Sequence, residues 1–212
     1  MNDRRHVWLI AVFLVLFAIT RWPGSMPVNF SASYALMFCA GVYFRNRAGW
    51  WVPLVLMAVT DIALNFYYTA KGYPAFQWYQ FMNYPVYLFL IWFGRRFDPR
   101  ASIGRLVGGS LLGAVLFYLI TNTAAWFFNP FGNPEYTKTL AGWWRALTTG
   151  TGGWPQTWEF FRNTLLSSAL FTALFAGAMK YSERLESAEE KNTANAAKES
   201  QEGDAETEES AA

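Results

Sequence analysis

The chain has 212 residues, 53% of them hydrophobic and 19% aromatic, and only 15% are charged, against ~25% in soluble domains. The charge is uneven: after Tyr181 there are ten Asp/Glu and three Lys/Arg, whereas residues 1–181 hold fourteen Lys/Arg and five Asp/Glu. One cysteine, Cys39, excludes an internal disulfide framework, and one histidine, His6, set among N-terminal charges, argues against a histidine-based metal site or catalytic triad.

Arg4 and Arg5 precede an unbroken apolar run, Val7 to Ile19. That pattern fits a signal peptide or a first transmembrane helix. No small-x-small site follows and the next residues are Arg21-Trp22-Pro23-Gly24, which favours the helix. After a turn-rich loop, Val28 to Phe44 is a second span, with Ala32, Ala35 and Cys39 on one face for close helix approach. Trp50 to Tyr68 is a third, with Pro53 in its first turn, where proline is tolerated. Thr69 to Tyr79 is a loop. Gln80 to Phe93 is a short aromatic fourth span, with Pro85 as a kink candidate.

The fifth span runs from about Ile103 to Trp126 and carries the pairs Gly104/Gly108 and Gly109/Gly113, which read as packing devices. Asn129 to Gln156 is the longest loop, with an amphipathic helix predicted over Thr139–Leu147. The sixth span starts at Thr157 and ends near Tyr181, with a small-residue stripe of Ser168, Thr172 and Ala176. From Ser182 the chain is acidic and lacks aromatics, and disorder is expected beyond its first turns. The expectation is an all-α integral membrane protein: a six-helix transmembrane domain over 1–181 and a disordered acidic cytoplasmic tail over 182–212. The second and fourth spans are short enough to be re-entrant.

Six spans place ten Lys/Arg on one side and four on the other, which predicts both termini in the cytoplasm. Asp61 is the one carboxylate of the third span. A charge at the bilayer centre costs about 3 to more than 10 kcal/mol, so it is expected to face protein or a wet cavity. Asn65 lies one turn on, on the same face. Asn122 ends the fifth span on the outer side, and Arg162 and Asn163 start the sixth there; Arg21 and Asn29 of the first loop lie on that side too. These residues describe a cup open to the outside and closed below by apolar helices. Asp61, Asn65, Asn122, Arg162 and Asn163 are the predicted solute-binding residues, with the first loop and the Asn129–Gln156 loop as lids. Asp61 and Arg162 are expected close enough to interact, either as a structural buried ion pair or as part of the binding site. No HExxH, CxxC, P-loop or GxSxG appears, and no enzyme, metal or cofactor is read from the chain.

Asn29-Phe30-Ser31, Thr60-Asp61, Ile120-Thr121-Asn122, Thr139-Leu140-Ala141-Gly142 and, most specifically, Phe160-Phe161-Arg162-Asn163-Thr164-Leu165-Leu166 resemble an uncharacterised family of bacterial multi-pass membrane proteins. That family is similar to the substrate-binding S components of energy-coupling-factor transporters. The resemblance implies a six-helix capture subunit of the bacterial inner membrane. It would take a small polar, vitamin-like solute through an outward-facing pocket, partnered by a transmembrane coupling protein and two ATPases. The alternative is a scaffold of the cell envelope that transports nothing and works through helix–helix contacts.

Overall fold

A computed structural model describes residues 3–73 and 78–209. Four residues of the predicted 69–79 loop, 74–77, lie outside the described part, as do both extreme ends. The described residues form seven α-helices and one 3-10 turn, with no strand. In order they are α1 (Asp3–Arg21), α2 (Ser33–Tyr43), α3 (Ala48–Ala70), the 3-10 turn (Trp78–Asn83), α4 (Tyr84–Gly94), α5 (Ile103–Phe128), α6 (Leu140–Leu147) and α7 (Thr157–Glu209). Two of them, α3 and α5, are long and apolar enough to cross a membrane by length and composition.

The short helix α2 is the hub. It packs on α1, α3, α4, α5 and α7, and every residue from Ala35 to Val42 is buried. A helix apolar on all sides can only be stable when enclosed. Its closest neighbour is α4, where two glycines meet. A Cβ on Gly41 would lie 2.0 Å from the Ile91 carbonyl oxygen, and one on Gly94 2.2 Å from that of Phe38. Only glycine permits this approach of two backbones. The expected small residues Ala32, Ala35 and Cys39 are buried too, yet the tightest contact belongs to this unforeseen pair.

The glycines of α5 divide in two. A side chain at Gly109 would run into the Phe97 and Phe38 rings, and one at Gly113 would touch Leu90, whereas Gly104 and Gly108 face open space. The second predicted pair packs and the first does not. Along α5 and α7, the Ser110 hydroxyl lies 2.6 Å from Ser168 Oγ and accepts from Thr172 Oγ1 at 2.8 Å, all three buried. The predicted stripe of Ser168, Thr172 and Ala176 is thus an interface, bonded across helices by hydroxyls.

The outer surface carries apolar faces with helical spacing. On α1, Trp8, Val12, Val15 and Ile19 point out while Phe13, Phe17 and Thr20 point in. On α3 the outward set is Val52, Val55, Val59, Ile62 and Phe66; on α7 it is Leu166, Leu170 and Leu174.

Three predicted boundaries shift. The second span was expected from Val28, but α2 starts at Ser33: Asn29 has φ of 59°, left-handed and incompatible with a helix, so residues 22–32 stay in a loop. The fourth was expected from Gln80, but α4 begins at Tyr84 after the 3-10 turn. Pro85 sits at its start, where a missing N–H costs nothing, and makes no kink. Finally, α7 does not fray near Tyr181 but continues as one helix to Glu209, against the expected disorder. The tail is rich in Ala, Glu and Lys, strong helix formers, and elongates a helix already nucleated in the bundle. The predicted amphipathic helix is present as α6, capped by Thr139, whose hydroxyl accepts from the Gly142 amide at 3.2 Å.

Candidate functional site

A cavity of about 500 Å³ opens at the end of the bundle where α1, α3 and α5 finish and α7 begins. Its rim is the 22–32 loop, held from three sides. Thr20 Oγ1 accepts from the Ala32 amide at 3.1 Å, Asn163 Nδ2 donates to the Val28 carbonyl at 2.9 Å, and the Trp22 ring packs edge-on against Tyr67. The left-handed Asn29 lets the loop turn down into the first turn of α2, so Ser31, Ser33 and Tyr34 line the cavity.

One wall is aromatic. The Tyr87 ring stacks on Phe117 at 5.6 Å, and Phe117 meets Tyr34 edge-on at 4.8 Å. Further lining comes from the ends of α5 and α7: Thr121, Asn122, Thr157 and Thr164. Asn122 donates its Nδ2 to its own helix at the Tyr118 carbonyl, 2.9 Å. Its Oδ1 has no partner among the described residues and stays available as an acceptor.

Arg21 is the charged residue of the lining. It is the last residue of α1, and its guanidinium turns to α3, where Nη2 donates to Asp61 Oδ1 at 2.5 Å. The Tyr84 hydroxyl donates to the other carboxylate oxygen at 2.8 Å. Arg21 also contacts the Met57 sulfur and lies 5.7 Å from the centre of the Phe17 ring. Both charged side chains are mostly covered, 16% and 22% exposed. Asp61 therefore fixes the orientation of a cation that borders the cavity, and Tyr84 fixes Asp61. Tyr84 in turn packs edge-on against Tyr87 at 5.7 Å, which links the ion pair to the aromatic wall.

Of the five predicted site residues, Asn122 lines the cavity. Asp61 stands behind it, through Arg21. Asn65 is buried in a reciprocal amide pair with Gln80, at 2.8 and 2.9 Å. Asn163 braces the loop rim. Arg162 is exposed: its guanidinium sits over the Trp158 ring at 5.4 Å, with Nε 3.4 Å from Asn163 Oδ1. The expected pairing of Asp61 with Arg162 is replaced by the pair with Arg21. The facing of the helices decides the pairing: α1 packs on α3, and α7 turns Arg162 outward.

The loop predictions also separate. The first loop lines the cavity, but no residue of Asn129–Gln156 does. That segment is fastened to α5 instead: Trp143 Nε1 donates to Thr123 Oγ1 at 2.9 Å, Trp126 Nε1 to the Thr137 carbonyl at 2.7 Å, and Tyr118 to the Leu147 carbonyl. Arg21 was legible as a cation on the right side of the chain. What marked it further is its place at the end of an apolar helix with one acid in reach. The tyrosine wall carried no sequence signal, because its rings look like any apolar span.

No group of His, Cys, Asp and Glu able to hold a metal occurs among the described residues. No curated protein and no solved structure is detectably similar to the chain. A family does match, over residues 1–190, which is most of the length. The chain belongs to the family of unknown function (DUF6580).

Proposed function

We propose that the chain is a multi-pass protein of the bacterial inner membrane that captures a small polar solute in this cavity from the outer face. The observation that carries the reading is the cavity itself. Its volume of about 500 Å³ falls in the ~300–1,000 Å³ range of small-molecule sites. It combines a few oriented polar groups, Arg21 and Asn122 among them, with a flat aromatic wall. A bundle working only through helix–helix contacts needs no such space.

Several features support the membrane setting. Outward apolar faces on α1, α3 and α7 suit lipid. Helices α2 and α4 have 11 residues each, about 16 Å of helix, half of a ~30 Å hydrocarbon core. The irregular 22–32 segment that completes α2 borders the cavity, and non-helical backbone at membrane depth is tolerated where it lines a water-filled space. The arginines over 45–47 and 95–105 support a cytoplasmic side at the opposite end, by the excess of positive charge usual there. The solute would meet a fixed guanidinium, so an anionic or zwitterionic group is expected. Uptake would draw its energy from other chains; the coupling protein and ATPases implied by the resemblance to S components fill that role in this reading.

The test is mass spectrometry of solutes released on denaturing the protein purified in mild detergent. Thr121→Trp, which fills the cavity, serves as the control. The reading predicts a solute held by the native protein and absent from the variant. Identical extracts, together with no anionic or zwitterionic solute that raises Tm, would overturn it.

A further inference from the structure

At the opposite end, the loops between α2 and α3 and between α4 and α5, with the first turn of α5, carry Arg45, Arg47, Arg95, Arg96, Arg100 and Arg105 against one acid, Asp98. Two of these arginines are used by the fold: Arg95 donates to the carbonyls of Phe44, Arg45 and Asn46, and Arg45 to that of Phe97. Arg47 is different. It is exposed, stands immediately before α3, and its guanidinium has no hydrogen-bond or ion-pair partner among the described residues. It forms the mouth of a crevice of about 400 Å³ between α3 and α4, whose other walls are Trp50, Trp51, Leu54 and Leu88. On α4, Trp92 lies one turn from Leu88 on the same face, and the Arg96 guanidinium covers its ring at 4.6 Å. A second cation thus stands beside the same edge.

We propose that this crevice binds one anionic phospholipid, its phosphate at Arg47 and an acyl chain along Leu54 and Leu88. The site rests on the membrane reading but not on solute capture. The parts match the ligand in order. A cation without a partner stands at the mouth, tryptophans at the depth of the headgroups, and an apolar groove about two helical turns long below. The chain's own acidic extension is the competing occupant, but beyond Leu185 its sequence has no large apolar side chain to place between Leu54 and Leu88.

The experiment is native mass spectrometry from detergent micelles supplemented with phosphatidylglycerol or phosphatidylcholine of identical acyl chains. The wild type should retain one phosphatidylglycerol and release phosphatidylcholine. Arg47→Gln should weaken phosphatidylglycerol retention about fivefold, the effect of one arginine near an anionic headgroup. Leu88→Trp, which fills the groove with the charges intact, should abolish it, and inorganic phosphate should not displace the lipid. Equal retention of both lipids, or unchanged retention in both variants, would overturn the proposal; displacement by phosphate alone would replace the lipid with a simple anion site. A chain that fails to sediment with membranes would sink the membrane reading, whereas one that sediments but shows no lipid preference sinks this site alone.

Discussion

At the arginine-rich end, Arg95 donates to three successive backbone carbonyls and stacks on Trp50 at 4.8 Å, Gly41 and Gly94 bring two backbones into contact, and Phe38, Phe93 and Phe97 fill the space between α2, α4 and α5. At the other end, Arg21 donates to a carboxylate, and the aromatic rings of Tyr34, Tyr87 and Phe117 surround a cavity. The same side-chain types close one end and leave the other open. The difference lies in the backbone. Two glycine-paired short helices fill the closed end. Where they stop, loops take over, and no helix fills the space that α2 and α4 leave.

The comparison breaks most readily at the glycine crossing. Gly41→Leu would put a side chain where a carbonyl oxygen already lies 2.0 Å from its Cβ. The helices must separate, at a cost of about 3 kcal/mol or more. The expected outcome is loss of monodisperse protein by size-exclusion chromatography. Gly104→Leu, on the same fold but facing open space, should behave as wild type.

At the open end, Asp61→Asn leaves the Arg21 guanidinium without its anion. Breaking a fully buried pair costs ~3–5 kcal/mol; with 16% and 22% exposure and an amide oxygen still able to accept, about 2 kcal/mol is expected. The double variant Arg21→Met with Asp61→Asn should recover most of it in a thermal denaturation cycle. Equal melting of single and double variants would show that the two residues do not act as a pair.

These two sites also show what sequence could and could not give. Asp61 was legible as the organising charge because one acid in an apolar span is expensive and must have a partner. The partner was not legible. Arg21 and Arg162 both lie near the same end, and only the packing of α1 against α3 decides between them. The ends of α3 and α5 followed from apolar run length to within two residues. The starts of α2 and α4 did not, because Asn29 and Pro85 act through backbone geometry that hydropathy ignores. The helical course of α7 beyond Tyr181 was not read for a related reason: composition that cannot form a core can still form a helix.

A smaller effect is expected midway between the ends. Ser110→Ala removes the hydroxyl shared by Ser168 and Thr172 and should lower stability by about 1 kcal/mol. Smallest is a pH effect on the 129–156 segment. The Glu135 carboxylate accepts from the Gly152 amide at 3.1 Å. That bond, and one from its own amide, hold its pKa below the usual value of 4.5. A depressed pKa means its contribution is present above the unfolded value and lost as pH falls through the folded one. Tryptophan fluorescence near Trp154 should therefore change only below about pH 4.5, and Glu135→Gln should remove that change.

The most direct test of an end open to solute and an end closed is cysteine accessibility. The buried native thiol is first removed by Cys39→Ala. In that background, Thr121→Cys lines the cavity, and Ala114→Cys lies two turns along α5 toward the arginine-rich end, in the core. A membrane-impermeant maleimide added to intact cells is predicted to label position 121 and not position 114. Labelling of position 121 only in inverted vesicles, or equal labelling of both, would contradict the account.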